Sequence, residues 1–375
     1  MNRKPHSTCS PLPRVLVVAP GAEARGGIAS VVRMHRSTRT WKEFSCRLLP
    51  TLGSSSAPAK VLAALWAYIR APLALMRCDI AHFHIAAGSS VLRKTPIVWL
   101  ASLLARKIVL HFHCAGPESL FDATPQPLLS FLRSRADLVI VLSPWWKKEF
   151  ERRWPNVCVA VLPNPIAPVA ASREKSAAAA PEILFVGVLS KRKGYDLLLA
   201  AMADVIHEYP AARLSLAGDG EVAIARSAAR RLGIAHNVRI CGWIAGDELQ
   251  DMYRQAQILC LPSYAEGVPL AVLDAMAHGL AVITTPVGGI PDLVVDGENG
   301  LLVPAGNQTA VVHAIVRLLR DPEERARIGE AGRQTVSEAH SVARVSHLLR
   351  EIYCGMYTRS AVVSEPEPAS HIHPA

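Results

Sequence analysis

Residues 263–279, SYAEGVPLAVLDAMAHG, place two carboxylates, Glu266 and Asp274, around a glycine–proline turn that leads into an apolar helical run. Pro269 suits a helix start, because its ring fixes φ and its missing N–H has no helical partner to lose there. The free backbone N–H groups and positive dipole end of that helix make an anion site, and Gly267 lets the chain approach a phosphate closely. A carboxylate beside a phosphate site is repulsive unless it does other work. Glu266 is placed to accept hydrogen bonds from the hydroxyls of a sugar, and Asp274, on the second helical turn, from those of a second polyol. Hexose at one end, ribose at the other and phosphates between describe a nucleotide sugar. The same residues also admit a plainer reading, with Glu266 capping the helix and Asp274 an ordinary helical residue.

Two further groups carry chemistry. In FVGVLSKRKGYDLLLA, a strand and glycine turn deliver Lys191, Arg192 and Lys193 to the mouth of a helix beginning near Tyr195, where cations neutralise a leaving diphosphate; a solvated surface cluster is the alternative. His82 and His84 share one strand face by period two, as do His111 and His113, and His84 and His113 stand at strand ends. Gly26 and Gly27 precede a helical segment, IASVVRMH.

The elements that must position these residues follow one grammar twice. Residues 14–20, 79–84, 107–113 and 138–142 are short apolar runs without alternation, as in strands buried on both faces of a parallel sheet, and each is followed by a turn and a helix-forming segment. Prolines and low-complexity alanine in residues 163–182 then interrupt the pattern as an interdomain linker. After it ILFVGVL, RLSLAGDG, VRICGW, ILCLPSY and AVITTPVGG restart the same plan. The expectation is an α/β chain of two Rossmann-like, doubly wound parallel-sheet domains facing a cleft: residues 1–170, residues 171–341, a helix over 342–357 packing back on the first domain, and a disordered tail over 358–375.

Residues 263–305, including TTPVGGIPDLVVDGENGLLVP, resemble the signature of the group 1 glycosyltransferases, family 4, which retain anomeric configuration and have the GT-B fold. The resemblance runs over residues 14–357 and is strongest in the second half. It implies that Glu266 lies at the donor hexose, that the backbone of Gly267, Val268, Pro269 and Leu270 meets the donor's phosphate and sugar, and that Asp274 binds the ribose. It also implies that Lys193 serves the leaving group, that Gly26 and Gly27 approach the donor phosphate, and that His113 lies near the transferred sugar or acceptor. Two positions depart from the family pattern. Asp274 replaces a glutamate, which shortens its reach by roughly 1.5 Å. Val188 occupies the position of an arginine, and Arg192 is expected to supply that charge.

Composition bounds the setting. At 375 residues the chain exceeds the usual size of one core, and 50% hydrophobic with 19% charged residues excludes general disorder. The net charge of +10 is uneven: residues 1–180 hold 24 Lys and Arg against 9 Asp and Glu, and the remainder 17 against 22. A basic first half suits anionic lipid headgroups, a phosphorylated acceptor or nucleic acid, unless it is only solvated surface charge. Eight scattered cysteines without a CxxC pair read as reduced residues of a cytoplasmic protein. The apolar stretch at 15–19 is too short for a secretion signal, and residues 61–76 and 95–105 fall short of a membrane span. With their Arg and Lys flanks, segments 61–77 and 95–107 are instead candidates for lying on a membrane surface.

The expected protein is therefore a hexosyltransferase that uses a nucleoside diphosphate sugar as co-substrate, needs neither cofactor nor metal, and binds its acceptor through the basic first domain. The expected acceptor is a lipid-linked saccharide for surface polysaccharide at the inner face of the cytoplasmic membrane, with no nucleic acid partner. Rival readings are a metal-dependent hydrolase built on the HxH pairs, a nucleotide-sugar epimerase or phosphorylase of the same fold, and a catalytically weak sugar-nucleotide-binding scaffold.

Overall fold

The computed structural model describes residues 12–21, 23–53, 57–169 and 180–356, with backbone alone over 57–61. Positions 170–179 of the expected linker and the expected tail at 358–375 lie outside the described residues. Two six-stranded parallel sheets organise the chain. The first takes β1 (Val15–Ala19), β2 (Arg47–Pro50), β3 (Ile80–Ile85), β4 (Lys107–Phe112), β5 (Leu138–Val141) and β6 (Val159–Val161), in the order β2-β1-β3-β4-β5-β6. The second takes β7 (Glu182–Val186), β8 (Arg213–Ala217), β9 (Val238–Gly242), β10 (Ile258–Leu261), β11 (Ala281–Thr284) and β12 (Leu301–Leu302), in the order β12-β11-β10-β7-β8-β9.

Central strands such as β1, β3 and β10 are buried at every position, which is why their sequences run apolar without alternation. The edge strands β2 and β12 and the three-residue β6 were not among the expected strands. They are short and partly exposed, so their composition does not distinguish them from loops.

Around the first sheet lie α1 (Gly27–Arg36), α2 (Arg39–Glu43), α3 (Ala57–Met76), α4 (Ser89–Leu103), α5 (Gln126–Arg135) and α6 (Pro144–Arg153). Around the second lie α7 (Tyr195–Glu208), α8 (Val222–Arg231), α9 (Asp247–Gln255), α10 (Leu270–Ala277), α11 (Gln308–Arg320) and α12 (Pro322–Ala339). The last helix, α13 (Val342–Gly355), buries Val345, Leu349, Ile352 and Tyr353 in the core of the first sheet, against Val15, Val17 and Val109. The chain thus passes between the sheets twice. The two crossings touch: Ile166 N–H donates to His340 O at 2.7 Å, and Ile166 bridges Ser341.

Strand order reverses between β1 and β3 in the first sheet and between β7 and β10 in the second. Loops leaving the carboxyl ends of such strands diverge and leave a crevice, which is where ligands of open α/β sheets bind. Glu266, Lys193 and Gly26 lie on these connections, and Gly27 opens α1.

Candidate active site at the cleft between the two sheets

The loop after β7 becomes a single 3-10 turn, Lys191–Lys193, and α7 starts at Tyr195. From this turn Lys193 Nζ donates to Glu266 Oε1 at 2.5 Å, and Ser263 Oγ donates to the same oxygen at 2.8 Å. Glu266 is 5% exposed, so it is a buried carboxylate whose charge is matched by the largely covered ammonium of Lys193. Arg192 donates to Ala265 O at 2.6 Å and stands 3.9 Å from Glu266 Oε2. Its guanidinium thereby braces the carboxylate loop. Lys191 is exposed, as is Val188 at the position of the family's arginine.

The carboxylate loop is clamped from its other side by residues 284–289. Thr285 Oγ1 donates to Ser263 O at 2.5 Å, and Gly289 N–H to Gly267 O at 2.8 Å. Gly288, at φ +58°, leaves no room for a side chain: a Cβ there would lie 1.7 Å from Glu266 O. Sequence reasoning had placed TTPVGG in the motif without a task; its task is to fix the backbone that carries Glu266.

Pro269 stands one position earlier than a first-turn proline, as the N-cap of α10, with ψ 126°. Its carbonyl takes the first helical hydrogen bonds, from Val272 and Leu273. Val268 is buried, and its carbonyl accepts from Asn164 Nδ2 at 3.0 Å. Asp274 follows on the second turn of α10. Burial raises its carboxyl to about 7, and no hydrogen bond reaches it among the described residues.

The first domain meets this loop directly. A Cβ on Gly267 would lie 2.6 Å from Cys114 O, so the glycine permits contact with the residue that follows His113. A Cβ on Gly27 would touch Leu270 at 3.5 Å, and Gly26, at φ +113°, turns the chain into α1. Arg25, just before, reaches Asp219 at 3.5 Å and lies over the Trp243 ring at 5.1 Å. This half-exposed bridge across the cleft was not foreseen. A cavity of about 400 Å3 opens beside the joint, between Gly116, Glu118, Trp145, Arg152 and Arg153 on one side and Tyr264, Ala265, Val287 and Gly288 on the other.

Buried His82 and His84 on β3 and His111 on β4 form a column with half-buried His113, which follows β4. His84 Nδ1 lies 2.9 Å from His113 Nε2, His82 Nε2 lies 3.3 Å from His111 Nδ1, and His82 Nδ1 lies 2.6 Å from the Tyr353 hydroxyl. Burial first, then the nearby His35 and Lys94, holds His113 down at about 3, and burial first of all depresses the other three as well. The column is neutral at physiological pH. His113 can orient a hydroxyl by hydrogen bonding but is not a protonated acid. His82, His84 and His111, from the HxH pairs on which the metal reading rested, have nitrogens within 4.8 Å of one another. His82 and His111 are hydrogen-bonded to each other, and His82 also to Tyr353.

Lys94, on α4, is the buried cation beside this column, and nothing in the motif analysis singled it out. The available clue was an acid-poor stretch: between Glu43 and Glu118 the sole acid is Asp79.

A family model described as glycosyl transferases group 1 matches residues 170–335, the part of the chain that carries Lys193, Glu266 and Asp274. The likeness to the group 1 glycosyltransferases therefore lies in the second of the two sheets and its helices. A D-inositol 3-phosphate glycosyltransferase of Corynebacterium aurimucosum is 36% identical to this chain over 156 residues, 40% of this chain and 37% of the relative. An uncharacterised glycosyltransferase of Methanocaldococcus jannaschii is 30% identical over 172 residues, 46% of this chain and 44% of the relative. The chain thus spans about two-fifths of the length of these relatives. Among solved structures, HepE of Anabaena in complex with UDP-glucose superposes with a TM-score of 0.75 at 18% identity, over 91% of this chain and 99% of that one. Sucrose-phosphate synthase of Thermosynechococcus elongatus gives 0.72 at 21% identity, over 92% and 100%. These superpositions show the GT-B fold, and the matched residues lie in its second half.

Proposed function

We propose that the protein transfers a hexose, with retention, from a nucleoside diphosphate sugar to a hydroxyl of a lipid-linked saccharide. The observation that carries this reading is the buried Lys193–Glu266 pair at the switch point of the second sheet, pressed against the residue after His113. Glu266 accepts from the donor hexose and Lys193 sits beside the departing diphosphate. The open N–H groups of α10 face the same phosphates. As the glycosidic C–O bond breaks, charge grows on the leaving oxygen, and an ammonium fixed in a dry site stabilises it without reorganising. On the same face, the leaving oxygen takes the acceptor hydroxyl's proton as the new C–O bond forms. Neutral His113 orients that hydroxyl. Asp274 takes the ribose. The cationic side chains and the helix end supply the positive charge, so transfer proceeds without a metal.

Support comes also from relatives and neighbours, whose names pair a glycosyltransferase with a phosphorylated acceptor and this fold with UDP-glucose. For the setting, Leu62, Trp66, Ile69 and Leu73 form one stripe on α3, with Leu92 and Trp99 exposed on α4; each is at least half exposed. Tyr68 donates to Arg93 O at 3.0 Å, tying the two helices together. Arg70 lies over the Trp66 ring at 5.1 Å. No helix among the described residues is long and apolar enough to cross a membrane. An apolar surface on two helices with basic flanks suits lying on an anionic leaflet, and we place the enzyme peripherally at the inner face of the cytoplasmic membrane.

Purified protein assayed against a panel of UDP-, GDP- and other nucleotide sugars tests the reading. Donor hydrolysis or transfer that survives chelator, disappears in Glu266→Ala and releases the retained anomer supports it. An inverted product removes the mechanism, and binding without turnover leaves a scaffold.

A further inference from the structure

Helix α4 begins at the carboxyl end of β3, at the switch point of the first sheet, opposite the loop that carries Gly26. Gly88, its N-cap, has φ +64° and offers no side-chain cap. Among the described residues the N–H groups of Ser89 and Ser90 make no hydrogen bond, and Gly88 and Ser89 are open to solvent. A helix end alone attracts any anion weakly, but here a second group points to it. Lys94 is 1% exposed and turns back one helical turn to donate to Ser90 Oγ at 2.8 Å, an oxygen that also accepts from Ala86 N–H at 3.1 Å.

An ammonium carries three donors, so two of them have no partner within the described residues. No carboxylate neutralises it: burial first, then the charge of Arg93, lowers its pKa to about 7. Arg93 donates to Ser89 Oγ at 3.0 Å, while its buried Nε has no partner. A buried amine without an acid is pushed toward its neutral form unless something anionic joins it and holds the proton. The surrounding sequence supplies no such acid: Arg47, Lys60, Arg70, Arg77, Arg93, Lys94, Arg106 and Lys107 stand between Glu43 and Glu118 with Asp79 alone, and Asp79 is bound to Arg14.

We propose that the start of α4, with Arg93 and Lys94, is a subsite for the phosphate of the acceptor lipid. The subsite rests on the transfer reading above for the word acceptor, and on the first domain alone for its chemistry. The Ser89 and Ser90 N–H groups and the free donors of Lys94 and Arg93 meet the phosphate oxygens, as charge-assisted hydrogen bonds at a helix N-terminus. The apolar stripe of α3 and α4 takes the lipid chain. The phosphate and the His113 side chain then lie at neighbouring strand ends, since His113 N–H donates to Ile85 O at 2.8 Å and Ile85 precedes Ala86, the partner of Ser90. An acceptor held by its phosphate presents its terminal sugar to the cleft.

The test is sedimentation of the full chain with three vesicles: phosphatidylcholine alone, phosphatidylcholine with phosphatidylglycerol, and phosphatidylcholine with a polyprenyl phosphate. The wild-type protein is expected to bind the third about tenfold more tightly than the second at equal charge, as two or three charge-assisted hydrogen bonds allow. Lys94→Met and Arg93→Gln are expected to lose that increment and keep the binding that the apolar stripe gives to all three. Lys94→Met should also melt no lower than wild type, because an unmatched buried charge has been removed. Retention of the increment in both variants overturns the subsite, and so does equal wild-type binding to the second and third vesicles. A lower melting point in Lys94→Met, with Arg93→Gln unchanged, makes Lys94 structural. None of these readouts needs sugar transfer, so failure of the transfer reading is seen separately.

Discussion

Lys193 and Glu266 offer the sharpest perturbation. The side chains are 13% and 6% exposed, and Lys193→Met would leave the Glu266 carboxylate buried with Ser263 Oγ and a guanidinium 3.9 Å away. Breaking a buried pair on one side costs about 3–5 kcal/mol, and the remaining Arg192 puts the expectation at the lower end, about 3 kcal/mol. For a domain of this size each kcal/mol moves the midpoint by about 2–4 °C, so the second domain should melt roughly 6–12 °C lower. Adding Glu266→Gln removes the stranded charge while Ser263 can still donate to the amide oxygen, so the double variant should recover most of that loss. Differential scanning calorimetry of the four proteins closes the cycle. Transfer should behave oppositely: the double variant regains its melting point and stays inactive, because the ammonium beside the leaving diphosphate is gone. Additive melting shifts would refute the pair as an energetic unit, and an active double variant would refute the catalytic task of Lys193.

Other perturbations reach the same architecture from different sides. Gly288→Ala sets a methyl against Glu266 O at a positive φ, and should lower the melting midpoint and cut turnover together; wild-type values for both would show the loop to be more yielding than drawn. Asp274 titrates near 7 in the folded protein against about 3.9 unfolded. The folded state therefore binds the extra proton between those values, and stability should fall as pH rises through that window. Asp274→Asn should flatten this slope in urea titrations from pH 4 to 8, while Asp274→Glu should keep or improve donor affinity; a slope unchanged in the asparagine variant would place the titration elsewhere. Trp66→Ser with Ile69→Ser removes two members of the exposed stripe and should weaken binding to anionic vesicles by about tenfold or more, at about 25 cal/mol per Å2 of lost apolar area. Unchanged vesicle binding would assign that face to another partner.

Central strands were legible because burial on both faces imposes unbroken apolar runs, and the glycine-rich turns marked where those strands end. From strand ends the meeting of Lys193 and Glu266 follows in outline, although the separation of 73 positions carries no signal of a 2.5 Å contact. Ser263 and Gly288 were inside the quoted motif, yet their tasks depend on the approach of one loop to another, which composition does not encode. Arg192 illustrates the same limit: its charge was visible, but its direction was decided by Ala265 O. The histidine column needed the register of β3 and β4, which sets His84 beside His111. Lys94 was hidden by its surroundings, since a lysine within an apolar helix reads as one flank of a surface segment until its burial is known.

The two crossings between the sheets have a mechanical meaning. A single covalent tether lets two bodies swivel, tilt and twist about it. Here the strand-like pieces around Ile166 and Ser341 run side by side, and His340 Nδ1 reaches Asn164 O at 2.9 Å, while Asn164 holds Val268 O. Two pins set in parallel suppress torsion and leave flexing about one line, as in a door. The glycine turn at Gly27 and the helix start at Leu270 then meet in the same alignment at each closing, and because Asn164 grips Val268, the hinge itself is bolted to the loop that carries Glu266.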